Sequence, residues 1–228
     1  MTPLIALALV ATDPLLAALS APEIEPPVCS STLTVETEQD GEFDRRAYRF
    51  DAATGESTMI EGTPEAMAED ARRRAEAADE EDEAAEDEES VSFGMVSYEQ
   101  AIDTEGYGFE RVREENGLVV FRASPPLPKG SFTASGRDMS KRASATLWVE
   151  PGETPVLRRH AFALEREFRV PMIARVRALR QATEYEPLAG AMIPVRMTLA
   201  FDADVMGKSQ AGETRLRLGD FDCPAPAE

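Results

Sequence analysis

The stretch "GAMIPVRMTLAFDAD", residues 190–204, alternates side chains almost without interruption: Ile193, Val195, Met197, Leu199 and Phe201 fall on one side, and Pro194, Arg196, Thr198, Ala200 and Asp202 on the other. A two-residue period describes a strand with one dry face and one wet face. From Gly106 onward the chain repeats this texture in segments 107–114, 117–123, 131–136, 142–150, 155–164, 168–186, 191–202 and 209–219, each bounded by turn residues. Upstream, "STLTVETEQDGEFDRRAYRFDAATGESTMIEG" reads as a three-strand meander with turns at Asp40-Gly41 and Thr54-Gly55. Asn116-Gly117 ahead of "LVVF" is the strongest hairpin signal. "EPLAG" and "DADVMGK" make the last three strands antiparallel neighbours.

Helix has little room beside so much strand. Pro64 opens an Ala-Glu-Arg segment that predicts a helix to about Ala78, and Ser97 is an N-cap for a short helix over Tyr98 to Asp103. Between them, residues 76–89 are ten acids and four alanines, a block that repels itself and buries nothing, so it is read as a solvated insertion without chemistry. In the strand at 168–186, Val170, Met172, Ala174, Val176 and Ala178 share one face and Arg175 and Arg177 the other; Leu179-Arg180 breaks the alternation and predicts a bulge or a bend. The fold class expected is α+β, with a strongly curved antiparallel sheet.

The two ends carry the compartment signals. An apolar run, Leu4–Ala11 and then Leu15–Leu19, closes on Ala18, Ser20 and Ala21, which predicts an export signal over 1–21. No Lys or Arg precedes Arg45, and a buried N-terminal helix is the alternative. The run is too short, and too interrupted by Asp13 and Pro14, to span a bilayer. Residues 22–30 form a Pro-rich spacer, the domain runs from 31 to 222 with its helical insertion at 64–90, and 223–228 is a tail. Cys29 and Cys223, the only cysteines, stand just inside both ends; an even count suits a disulfide in an oxidising compartment, and two free thiols are the alternative.

Charge and residue types narrow the function. A net charge of −19 argues against nucleic acid, although the acid excess lies ahead of residue 122 and bases slightly outnumber acids beyond it. His160 is the only histidine, no G-x-S-x-G is present, and "DADVMGKS" lacks the first glycine of a phosphate loop and reads as a turn between strands. One histidine and two distant cysteines make no tetrahedral metal site; Asp202/Asp204 and Asp220/Asp222 are carboxylate pairs in turns. Neither catalysis nor a cofactor is expected. The remaining candidate is the apolar face itself: Val176, Ala178, Ala145, Leu147, Val149, Ile193, Val195, Met197, Leu199, Phe201, Leu216 and Leu218 make one wall, either of a ligand groove or of an ordinary core. Arg175, Arg177 and Arg196 stand at its rim, facing anionic head groups or solvent.

The order of these pieces, "YRFDAATGESTMIEG", helix, "ASATLWVEPGETPVLRRHAF", a long strand, "YEPLAGAMIPVRMTLAF", a Gly turn and "TRLRLGDF", resembles the LolA-like superfamily of periplasmic lipoprotein carriers over about residues 31–222. The resemblance rests on strand order and two turns. It implies an incomplete β-barrel closed by covering helices, export to the periplasm, and a hollow that takes an acyl chain, a lipid or a lipoprotein without enzymatic chemistry, in a monomer. The acidic Ala-rich helix and the end-to-end cysteine pair depart from the carriers, and imply a sorting-protein relative of unassigned cargo. The competing expectation is an envelope structural or regulatory domain with a closed core that docks another protein.

Overall fold

The computed structural model describes residues 13–20, 28–79, 96–134, 137–170 and 174–223. The apolar run Leu4–Ala11, most of the Pro-rich spacer, the acidic tract beyond Asp79, Met172, and the tail after Cys223 lie outside the described residues. In chain order the elements are α1 (Pro14–Ala17), β1 (Ser30–Gln39), β2 (Glu42–Phe50), β3 (Ser57–Glu61), α2 (Pro64–Asp79), α3 (Tyr98–Ile102), β4 (Glu110–Glu115), β5 (Leu118–Ala123), β6 (Thr133–Ala134), β7 (Arg137–Asp138), β8 (Ala143–Glu150), β9 (Val156–Leu164), β10 (Phe168–Val170), β11 (Ala174–Leu188), β12 (Ala191–Val205) and β13 (Lys208–Asp222).

One antiparallel sheet dominates. Its strands run in the order β3-β2-β1-β13-β12-β11-β9-β8-β5-β4, with β10 paired to β11 off that path, while β6 and β7 make a separate small hairpin. The sheet does not close, because β3 and β4 are its two free edges. Both edges are blunted: β4, "ERVREE", is exposed throughout and charged at every position but Val112, and β3 is five residues long with α2 against it. As expected, β11, β12 and β13 are consecutive neighbours. The first strand also pairs with the last, Val35 opposite Leu216, a contact no local signal announces.

Local chemistry accounts for the hairpins. Two-residue turns need φ > 0 at both central positions to match strand twist; Asn116 and Gly117 supply φ of 51° and 80°, and Met206 and Gly207 supply 50° and 81°. The latter turn is the "DADVMGKS" segment, linking β12 to β13. Ser97 caps α3 as the sequence predicts, its hydroxyl accepting from the Gln100 amide while the Gln100 side chain accepts from the Ser97 amide.

Register carries one row of side chains across seven strands. Phe121, Leu147, His160, Thr183, Met197, Leu216 and Val35 are successive cross-strand partners from β5 to β1. This row defines the covered face of the sheet. Two clusters cover it: Leu16, Tyr98 and Ala101 pack on Val119, Phe121, Leu147, Val149, Leu157 and Tyr185, and Leu127, Phe132 and Met139 pack on Ala123, Ala143, Ala145, Phe162 and Phe168.

Two bulges correct the faces read from alternation. Glu184 pairs with Arg196 but Tyr185 pairs with Pro194, so Val195 has no partner and the two-residue period restarts there. Ile193 is thereby carried off the face that holds Met197, and Met192, which packs on the first cluster, takes its place. Val176 pairs with Ala203 but Ala178 pairs with Asp202, so Arg177 is the extra residue. Where the sequence predicts a bulge or a bend at Leu179-Arg180, the irregularity is a bulge at Arg177. Ala178 turns to the opposite face with Asp202, and Leu179 packs beside Val176 instead.

Candidate functional site on the covered face

The burial of the candidate residues divides the covered face in two. Leu147 and Val149 have no exposure, and Met197 and Leu216 are 2% and 5% exposed. Val176, Leu199, Phe201 and Leu218 are half-buried, as are Ile193 and Val195. The β5–β8–β9 end is therefore sealed; on β11, β12 and β13 the cover is uneven, with Tyr185, Met197 and Leu216 buried and Val176, Leu199, Phe201 and Leu218, continued by Val35 and Leu33 on β1, half-buried.

The seal is built from two tyrosines. The Leu157 backbone N–H donates to the Tyr98 hydroxyl at 3.1 Å, and the Tyr185 hydroxyl donates to the Val96 carbonyl at 3.0 Å. Their rings meet edge to face at 5.4 Å. These contacts fix α3 over β9 and β11, and burial raises both phenol pKa values above the ordinary range. From the sequence, α3 is a short capped helix of no stated role; the i, i+3 pair Tyr98 and Ala101 beneath an N-cap was the available signal. Leu16 of α1 is buried in the same cluster, and Asp13 caps that helix while lying 3.6 Å from Arg111. A leader cleaved after residue 21 would remove that core side chain.

The less covered end is an apolar strip with polar insertions. Leu199 lies between Gln181 and Thr214 in register, and Phe201 lies between Leu179 and Gly212. A Cβ on Gly212 would stand 2.9 Å from the Phe201 ring and 2.9 Å from the Glu38 carbonyl oxygen, so the ring rests against bare backbone. Leu218 faces Leu33 across β13 and β1. Gln181 reaches Met197 Sδ at 3.7 Å.

His160 belongs to the sealed half. It is 5% exposed, its ring meets Phe162 at 4.4 Å, and its strand neighbours are Leu147 and Thr183. Burial lowers its pKa to about 4, which leaves it neutral at pH 7.

The arginines expected at a rim are otherwise engaged. Arg175 pairs with Glu167, and its Nε donates at 2.8 Å. Arg177, placed by its bulge, donates to Asp204 at 2.9 Å and also binds Asp202, whose carboxyl is held below the usual range by that hydrogen bond. Arg196 pairs with Glu184 at 2.9 Å on the opposite face of the sheet. Among the described residues no three His, Cys, Asp or Glu side chains gather as a metal site would require.

Two features bear on the compartment. Cys29 and Cys223 are joined by a disulfide, which fits an exported protein, and no helix among the described residues is long and apolar enough to cross a membrane. No protein-family model, no curated protein and no solved structure matches this chain.

Proposed function

We propose that the protein is an exported, non-enzymatic binder of an apolar ligand, an acyl chain, a lipid or a lipoprotein, of the LolA-like kind. The ligand lies along Val176, Leu199, Phe201 and Leu218, in the concavity of a curved half-barrel, while α3 and the loop carrying β6 and β7 cover the rest of the sheet. The observation carrying this reading is the change along the covered face from fully buried Leu147 and Val149 to half-buried Leu199, Phe201 and Leu218. Each methylene buried there contributes on the order of 0.8 kcal/mol, so a greasy strip holds an acyl chain with no reactive group.

A fluorescent fatty acid titrated into the folded protein tests the reading. Saturable binding that weakens at least tenfold in Phe201→Glu and Leu218→Glu, but not in Thr198→Glu on the opposite face, is the expected result. Substitution of Met197 is uninformative, because a charge at a buried position unfolds the sheet. Absence of saturable binding overturns the reading. It would favour the second one, an envelope interaction domain with a closed core, which the sealing of Leu147 and Val149 beneath Tyr98 supports.

A further inference from the structure

The face of the sheet opposite the apolar strip carries its own row of side chains. Trp148, Arg159, Glu184, Arg196, Arg217 and Thr34 are successive cross-strand partners from β8 to β1. Alternating charge stabilises the first part of this row: Arg159 lies over the Trp148 ring at 4.7 Å, and Glu184 binds Arg196. Then the alternation fails. Arg196 and Arg217 stand directly opposite each other on β12 and β13, a like-charge pairing that costs stability in a sheet.

More cations converge there. Arg215 precedes Arg217 by two residues and so shares its face, and its partner in register, Glu36, stands opposite Arg45. Thr34, Glu36, Arg45, Arg196, Arg215 and Arg217 line one depression of about 230 Å³. Three of the arginines have carboxylate partners: Arg45 has Glu36 and Glu61, Arg196 has Glu184, and Arg215 has Glu213. Among the described residues Arg217 has none. A chain with a net charge of −19 therefore gathers four guanidinium groups around one carboxylate in a single hollow, and leaves one of them uncompensated.

We infer that this hollow is an anion site for a phosphoryl group, either free or on a lipid head. Planar guanidinium forks present paired donors that match phosphate oxygens, and an anion between Arg196 and Arg217 relieves their repulsion. Thr34 adds a hydroxyl beside them. The site is independent of the proposed apolar groove, since Arg217 and Leu218 project to opposite faces of β13.

Inorganic phosphate, and separately vesicles of phosphatidylcholine with and without phosphatidic acid, are titrated against the full chain at low salt. Arg217→Gln removes the exposed, unpaired guanidinium, and Arg113→Gln, whose arginine binds Glu115 on the edge strand β4, controls for net charge. Urea unfolding checks that both variants fold. Saturable phosphate binding that weakens about tenfold or more in Arg217→Gln and stays unchanged in Arg113→Gln supports the site with free anion as its ligand. The same discrimination seen only with phosphatidic acid vesicles supports it with the anion borne on lipid. Binding of neither probe, or equal loss in both variants, overturns it. Loss of fatty-acid binding in Phe201→Glu with phosphate binding intact would show that the two sites stand or fall separately.

Discussion

Tyr98 converts a five-residue helix into part of the core. Its hydroxyl accepts from the buried Leu157 backbone N–H. Tyr98→Phe keeps the ring against Tyr185 and removes that hydrogen bond, so it should cost about 0.5–1.5 kcal/mol in chemical denaturation. His160 acts through protonation instead. Its folded pKa of about 4 lies below the unfolded value near 6.5, so the unfolded chain binds more protons between those values. Stability from this group is complete above pH 6.5 and is lost as pH falls toward 4. The two pKa values predict that wild type loses about 2 kcal/mol between pH 7 and pH 5 through His160 alone. His160→Leu should show correspondingly less loss in urea titrations at the two pH values; equal slopes would mean that the imidazole is not held neutral. Sequence alone made His160 a lone histidine on a strand, which it is. It could not place the ring between Leu147 and Thr183, because those neighbours arrive from β8 and β11.

At the scale of elements, what was legible followed from local chemistry. Paired positive-φ turn residues, the Ser97 cap and the Pro64 helix start depend on residues a few positions apart, and each appears where the sequence places it. What was not legible depends on partners. The bulges at Val195 and Arg177 insert one residue into a run that still looks alternating, so Ile193 and Ala178 were assigned to the wrong face. Arg177 gains Asp202 and Asp204 from its bulge, a reward visible only once β11 and β12 are aligned. Gly212 shows the same dependence on partners. Having no Cβ, it admits the Phe201 ring and the Glu38 carbonyl to within contact of its backbone. Gly212→Ala should therefore destabilise the protein by about 1–3 kcal/mol despite the better strand propensity of alanine, because a Cβ there must displace backbone as well as ring. Thermal unfolding of the variant measures this; a raised midpoint would mean that β1 and β13 can separate without cost.

Across the whole molecule, the pairing of β1 with β13 brings the two ends of the chain side by side. Ser30 is opposite Asp222, and the disulfide joins the residues immediately outside that pair, Cys29 and Cys223, across a sequence separation of 194. A cross-link closing so long a loop acts chiefly on the unfolded chain, where the chain-entropy argument assigns it about 5 kcal/mol; removal of native disulfides commonly costs about 2–5 kcal/mol. Beyond an irregularity between Ser30 and Thr32 beside the bridge, β1 keeps one continuous register with β13 from Thr32 to Gln39, so that length of ladder defines the register without the sulfur bridge. The Cys29→Ser/Cys223→Ser double variant should therefore fold to the same sheet and unfold at lower urea, with a free-energy loss of about 2–5 kcal/mol. Its unfolding should also depend more steeply on urea, since an unfolded chain freed of the loop exposes more surface. Circular dichroism with urea titration reads both quantities. An unchanged midpoint would place the stabilisation elsewhere, and a lost β-sheet spectrum in water would mean that the pairing of β1 with β13 depends on the covalent link.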